Sequence, residues 1–170
     1  MNSNKNLVFL GMMGSGKSSI GDMVSKKLDL TFFDIDSLIE KNTGMSITEI
    51  FEKKGEDYFR NLEEKITLKS LKKIKNVISL GGGGFINNKI RKEILTNHLS
   101  FWLNWDELTL IKRIKNSKKR PLVFKATDQE IKSIIKSRSK IYSNAQFKIN
   151  CNNLKKTEIV KKIIKIYELN

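Results

Sequence analysis

The sequence predicts a doubly wound α/β domain, a five-stranded parallel sheet with helices on both faces. Three observations predict it. Five short apolar runs of strand length recur along the chain: Asn6–Gly11, Thr31–Ile35, Asn76–Gly81, Leu99–Asn104 and Gln146–Asn150. Helix-like segments lie between them, which is the alternation of parallel crossover units. The first run leads directly into a glycine-rich loop and then a helical stretch. A length of 170 residues suits one domain spanning 1–170. A chain of this size buries roughly 70% of its unfolded surface, so it needs no disulfide or metal to hold its fold.

The elements follow in order. The first run enters Gly11-Met12-Met13-Gly14-Ser15-Gly16-Lys17-Ser18, a full match to the phosphate-binding pattern G-x-x-x-x-G-K-[ST], with Ser19 next. Glycines let backbone N–H groups turn inward around phosphate oxygens, and the following helix N-terminus favours an anion. Lys17 is placed for the β- and γ-phosphates and Ser18 for a magnesium ion. The motif establishes nucleotide phosphate binding without choosing between a kinase, a switch and a motor. The second run closes on Phe33-Asp34-Ile35-Asp36. Two acids at the carboxyl end of a parallel strand stand where open α/β sheets bind ligands. One acid then serves a metal and the other a hydroxyl group; a helix cap plus a solvated acid is the plainer alternative.

Ser46-Ile47-Thr48-Glu49 and Thr127-Asp128-Gln129-Glu130 both fit the capping box at a helix start. Phe59, Leu62 and Ile66 share one face of a long helix running to about Ile74, and Arg60 and Glu63, three apart, share a face as well. The third run ends in Ser79-Leu80-Gly81-Gly82-Gly83-Gly84, a stretch bare enough for a ligand to approach its backbone. His98 falls in a polar turn, and Trp102 and Trp105 bracket a strand end and are expected to pack. Cys151, the only cysteine, is expected to be a small packed residue. Asn116–Thr127 is polar, aperiodic and holds the only proline, Pro121, beside Arg120, so it reads as a loop or flap.

Arginine carries information here because the chain uses 28 Lys and only 5 Arg. Only arginine forks around a carboxylate or phosphate. Arg138 lies on the apolar stripe of Ile131, Ile134 and Ile135, so it points inward to meet an anion, either a structural partner or a ligand. Arg113 lies late in a helix, and Arg91 reads as surface. In the last helix Val160, Ile163, Ile164 and Tyr167 form the apolar face. Lys155, Lys156, Lys161, Lys162 and Lys165 form the solvated one.

Composition narrows the function classes. The net charge is +15, but the lysines spread along the whole chain instead of forming a stripe, so no nucleic-acid partner is expected. No apolar run approaches a membrane span. Leu7–Met13 runs into Gly-Ser-Gly-Lys without a cleavage site, so no signal peptide and a reduced, cytoplasmic protein are expected. A single cysteine and a single histidine exclude internal disulfides and cysteine-rich zinc sites.

Taken together, these residues resemble the shikimate kinase family. The likeness rests on Gly11–Ser18, Asp34-Ile35-Asp36, Phe59-Arg60-Asn61-Leu62-Glu63, Gly81-Gly82-Gly83, Arg120-Pro121-Leu122, and Arg138 with Tyr142. The resemblance implies a nucleoside-monophosphate-kinase-like sheet of order 2-3-1-4-5, with a lid at about 114–127 and a substrate-binding segment at about 34–63. It implies transfer of the ATP γ-phosphate to the 3-hydroxyl of shikimate by a monomer using Mg2+. Lys17, Asp36 and Arg120 would be catalytic. Gly14, Ser15, Gly16, Lys17, Ser18, Ser19, Arg113, Arg120 and Asn152 would hold the nucleotide, with Ser18 and Asp34 at the metal. Asp36, Arg60, Gly82, Gly83 and Arg138 would hold shikimate, with Glu63 orienting Arg60 and with Phe51 and Phe59 walling the pocket. The chain departs from the family pattern at Lys140, where a proline is common, and at Cys151-Asn152-Asn153, which lacks the family's Thr and later Pro. The nearest alternatives are a gluconate or nucleotide kinase. A nucleotide-dependent switch is a further one, although no Asn-Lys-x-Asp guanine motif occurs.

Overall fold

The structure, a computed structural model, describes residues 4–116 and 126–170. Strands β1 (Leu7–Leu10), β2 (Thr31–Asp34), β3 (Asn76–Ser79), β4 (Leu99–Asn104) and β5 (Phe147–Asn150) form one parallel sheet of order β2-β3-β1-β4-β5. This is the fold and strand order that the sequence and its resemblance predict. Side chains alternate across β1 and every one is buried. Val8 and Leu10 enter one core, and Leu7 and Phe9 the other. Two buried faces explain why the central strands read as continuous apolar runs.

Helices α1 (Lys17–Leu28) and α7 (Lys156–Glu168) cover the Leu7–Phe9 face with Ile20, Val24, Ile159, Val160 and Ile163. The other face carries α2 (Ile35–Thr43), α3 (Ile47–Leu71), α4 (Asn88–Asn97), α5 (Glu107–Lys115) and α6 (Asp128–Tyr142), through side chains such as Ile39, Ile50, Phe59, Ile94, Ile111 and Tyr142. Each such buried side chain contributes roughly 1.5–3 kcal/mol relative to exposure.

Both capping boxes form, at Ser46–Glu49 and Thr127–Glu130. The long helix departs from its expected course in two ways. It ends at Leu71 and not near Ile74, and Gly55 (φ 83, ψ 171) breaks it into two pieces. Ile35 and Asp36 belong to α2 and not to the second strand, so only Asp34 closes β2. Arg91 is not free on the surface, since it donates to the Phe85 and Ile86 carbonyls at 3.0 and 2.9 Å and so holds the turn after the glycines. Cys151 is fully buried, and burial pushes its thiol up to about 12, as expected of a packed residue. Arg120, and with it most of the segment expected as a lid, lies outside the described residues.

Candidate active site

The glycine-rich loop joins β1 to α1. Gly11, Gly14 and Gly16 take positive φ values of 142, 76 and 87, which suit glycine and reverse the chain over a few residues. Gly16 is the N-cap of α1 and no side chain caps that helix, so its first-turn amides are presented to an anion. Lys17 is only 8% exposed and lies back over the loop, where Nζ donates to the Gly11 and Met12 carbonyls at 2.9 and 3.0 Å. Its ammonium is thus held at the centre of the cradle.

On one side of the loop, Ser18 Oγ donates to Asp34 Oδ2 at 2.5 Å, while Asp34 Oδ1 accepts from Ser37 N at 3.1 Å. Asp34 therefore caps α2 and meets Ser18 with the same carboxylate, so the cap and the functional role coexist. A hydroxyl beside a carboxylate offers hard oxygen donors, and no cluster of three or more His, Cys, Asp or Glu occurs among the described residues. That donor set fits Mg2+, which keeps several waters and takes few protein ligands. Lys17, Ser18, Ser19, Asp34, Asp36 and Gly82 line one cavity of about 520 Å3, together with Gly14 and Gly16.

The third run's glycines form the floor beyond it. A Cβ on Gly81 would lie 2.6 Å from both Asp36 Oδ1 and Glu63 Oε1, so bare backbone there lets the two carboxylates draw close. A Cβ on Gly83 would overlap the Arg60 guanidinium. Arg60 reaches Gly83 because Glu63, 2% exposed, accepts from its Nη1 at 2.8 Å and Glu56 from its Nη2 at 3.1 Å. Burial opposes the charge on Arg60. Glu63 and then Glu56 more than offset that, holding its pKa above the ordinary arginine value.

From the opposite side Arg138 Nη1 donates to the Gly82 carbonyl at 3.3 Å, and the Tyr142 hydroxyl donates to the same oxygen. Two guanidiniums thus converge on neighbouring glycines from different helices; Arg138 points inward as its stripe predicts, but its partner is a backbone carbonyl and not an anion. Phe51 and Phe59 pack ring to ring at 4.7 Å. Phe59 is buried, and neither ring lines that cavity, as neither Arg60 nor Arg138 does.

The remaining side of the loop carries Arg113, whose guanidinium stacks 3.8 Å from the centre of the Trp105 ring. Trp105 Nε1 donates to the Ser15 carbonyl at 2.9 Å, so the indole braces the loop and the arginine together. In the sequence Trp105 reads only as a packing residue, because a contact across 90 residues leaves no local signal. Asn152 Oδ1 accepts from Asp106 N at 2.8 Å, tying the segment after β5 to the N-cap of α5.

A parallel sheet of this order, a phosphate cradle after its central strand and two guanidiniums beside the glycines that follow β3 define a P-loop kinase of small molecules. The family model described as "Shikimate kinase" matches residues 13–168. The chain is 39% identical over 165 residues to a shikimate kinase of Thermodesulfovibrio yellowstonii, covering 96% of this chain and 95% of that one. A solved shikimate kinase from Acinetobacter baumannii, in complex with shikimate, superposes with a TM-score of 0.92 at 27% identity, covering 99% of this chain and 96% of that one. One from Aquifex aeolicus gives 0.86 at 36% identity, covering 96% of each. The chain belongs to the shikimate kinase family.

Proposed function

We propose that this protein transfers the γ-phosphate of ATP to the 3-hydroxyl of shikimate, giving shikimate 3-phosphate and ADP. One observation carries the reading. Arg60 and Arg138 converge on Gly83 and Gly82, next to the cavity that also holds Lys17 and Asp36. A carboxylate acceptor explains two planar guanidiniums there, and the phosphate loop at the other end explains the donor.

Phosphoryl transfer needs alignment and charge neutralisation more than a strong base. Lys17 exchanges its loop carbonyls for the β- and γ-phosphates, and the first-turn amides of α1 hold the remaining oxygens. Arg60 and Arg138 fix the acceptor's carboxylate, with Glu63 and Glu56 orienting Arg60. The Gly82 backbone supports the substrate ring. Asp36, on the cavity wall, aligns the attacking hydroxyl and accepts its proton as the new bond forms. Ser18 and Asp34 would hold Mg2+, which would supply positive charge against the phosphates. Arg120 adds a further charge at the transferring phosphate, and Arg113 lies against the base. The reading takes the protein as a cytoplasmic monomer without a nucleic-acid partner, and the even spread of lysine along the chain is in keeping with the last of these.

The test is ADP release measured with ATP and Mg2+ and a panel of acceptors. Release is expected with shikimate, and not with gluconate, nucleoside monophosphates or no acceptor. Lys17→Met should abolish it while the thermal melt stays unchanged. Release with gluconate in place of shikimate would overturn the reading.

A further inference from the structure

Lys156 belongs by sequence pattern to the solvated face of the last helix, yet the structure gives it a specific partner. It is the first residue of α7, and its Nζ donates to Ser19 Oγ at 2.9 Å, across 137 residues. That hydroxyl is its one hydrogen-bonding partner among the described residues, and no carboxylate neutralises it there. Ser19 lines the cavity, one residue beyond Ser18. Ser18 turns toward Asp34 and the acceptor side, and Lys17 turns back over the loop. Ser19 turns the other way, toward the segment after β5 that holds Asn152 and Lys156. A loop of this pattern cradles the α- and β-phosphates of a nucleotide, and Ser19 directly follows its Gly16-Lys17-Ser18 end.

We propose that Lys156 is a nucleotide-binding residue that contacts the α-phosphate, shared with Ser19. The assignment rests on the reading of the glycine-rich loop and Ser19 as the nucleotide site. The α-phosphate keeps its charge throughout transfer, so this contact is equal in ground and transition states. It acts on KM for ATP and not on kcat. The ammonium is exposed, so the contact weakens as salt rises.

The experiment measures inhibition by ADP, AMP and adenosine against ATP turnover in the wild type, K156M, K156R and S19A. Methionine keeps the aliphatic stem and removes the charge. K156M should weaken ADP and AMP by about three- to tenfold, the range of a partly screened charge contact, and leave adenosine unchanged. It should raise KM for ATP to the same degree, with kcat and the shikimate KM within twofold. K156R should recover most of the loss, and added KCl should narrow the gap between wild type and K156M. An equal loss for adenosine would overturn the proposal by placing the side chain on the base. Weaker ADP in S19A with no change in K156M would overturn the role of Lys156 alone. No change in either variant would overturn the placement of Ser19 at the nucleotide itself.

Discussion

At the scale of single residues, Arg60 and Arg138 differ in how they are held. Arg60 is fixed by two acids on its own helix, at i−4 and i+3, a pairing visible in the sequence as shared helical faces. Among the described residues Arg138 meets only a carbonyl, at 3.3 Å, which leaves its other donors to a ligand. Arg138→Lys keeps the charge and loses the planar fork, so shikimate affinity should fall on the order of tenfold while ATP affinity holds. A shikimate analogue with a neutral amide in place of the carboxylate should bind the wild type poorly, and the Lys substitution should then matter much less. Binding titrations of the four enzyme–ligand combinations measure the coupling, and strictly additive losses would make Arg138 a structural residue. The glycines rank just as sharply. Gly81→Ala places a methyl 2.6 Å from two carboxylate oxygens, whereas at Gly82 the nearest atoms lie at 3.4 and 3.5 Å. Gly81→Ala should therefore cost about 1–3 kcal/mol of stability and disturb Asp36. Gly82→Ala should melt near the wild-type temperature and act on shikimate KM. Equal melting temperatures for the two variants would contradict this ranking.

At the scale of elements, what was legible in the sequence is what is encoded locally. The two capping boxes, the strand-length apolar runs and the cradle between β1 and α1 each rest on neighbours a few residues apart, and each forms. The end of α3 falls earlier than its periodicity predicts because a distant residue sets it. Asn6, just before β1, donates from Nδ2 to the Leu71 and Lys73 carbonyls at 3.0 and 2.6 Å and accepts from Asn76 N at 3.0 Å. One asparagine thus closes α3 and aligns the start of β3, across 65 and 70 residues that carry no local trace of it. The same holds for Trp105 on Ser15 and Lys156 on Ser19, which complete the nucleotide side of the site. The break at Gly55 is a different case. A glycine inside a helical pattern was in plain view, but only its φ of 83 shows that the helix turns there. A Cβ at Gly55 meets nothing within 4 Å, so Gly55→Ala is penalised by backbone conformation alone, about 1–3 kcal/mol. Its melting temperature should drop by a few degrees, and the shikimate KM should rise because the break sets the approach of Phe51 to Phe59 and of Arg60 to its glycine. A melt equal to wild type would show that the helix straightens at no cost.

At the scale of the whole molecule, chemistry and stability occupy opposite ends of one sheet. The cradle, Asp34 and the glycine floor all follow the carboxyl ends of β1, β2 and β3, where a parallel sheet leaves room for a ligand. The apolar runs alone do not encode the order that puts β3 and β1 side by side, since any order buries them equally well. At the far end, His98 caps α4 just before β4 and is only 5% exposed, with neither ring nitrogen hydrogen-bonded among the described residues. Burial lowers its pKa below the ordinary histidine value. Glu93 at 3.6 Å opposes that shift, and Lys5 adds to it. The folded state therefore prefers the neutral ring, whereas the unfolded chain takes up a proton near pH 6.5. Between the lowered folded value and that pH the unfolded state binds more protons, so stability rises with pH through this window and falls on acidification. One such group contributes at most about 1.4 kcal/mol per pH unit. For a chain of this size that is about 3–5 °C in melting temperature. Melting curves from pH 7.5 to 5 should decline in the wild type and decline less in His98→Gln, which cannot titrate. The gap between the two slopes should vanish above pH 7, where both states of the wild type are neutral at this position. Parallel slopes throughout would mean that His98 reaches solvent in the folded protein and takes up its proton there as readily as in the unfolded chain.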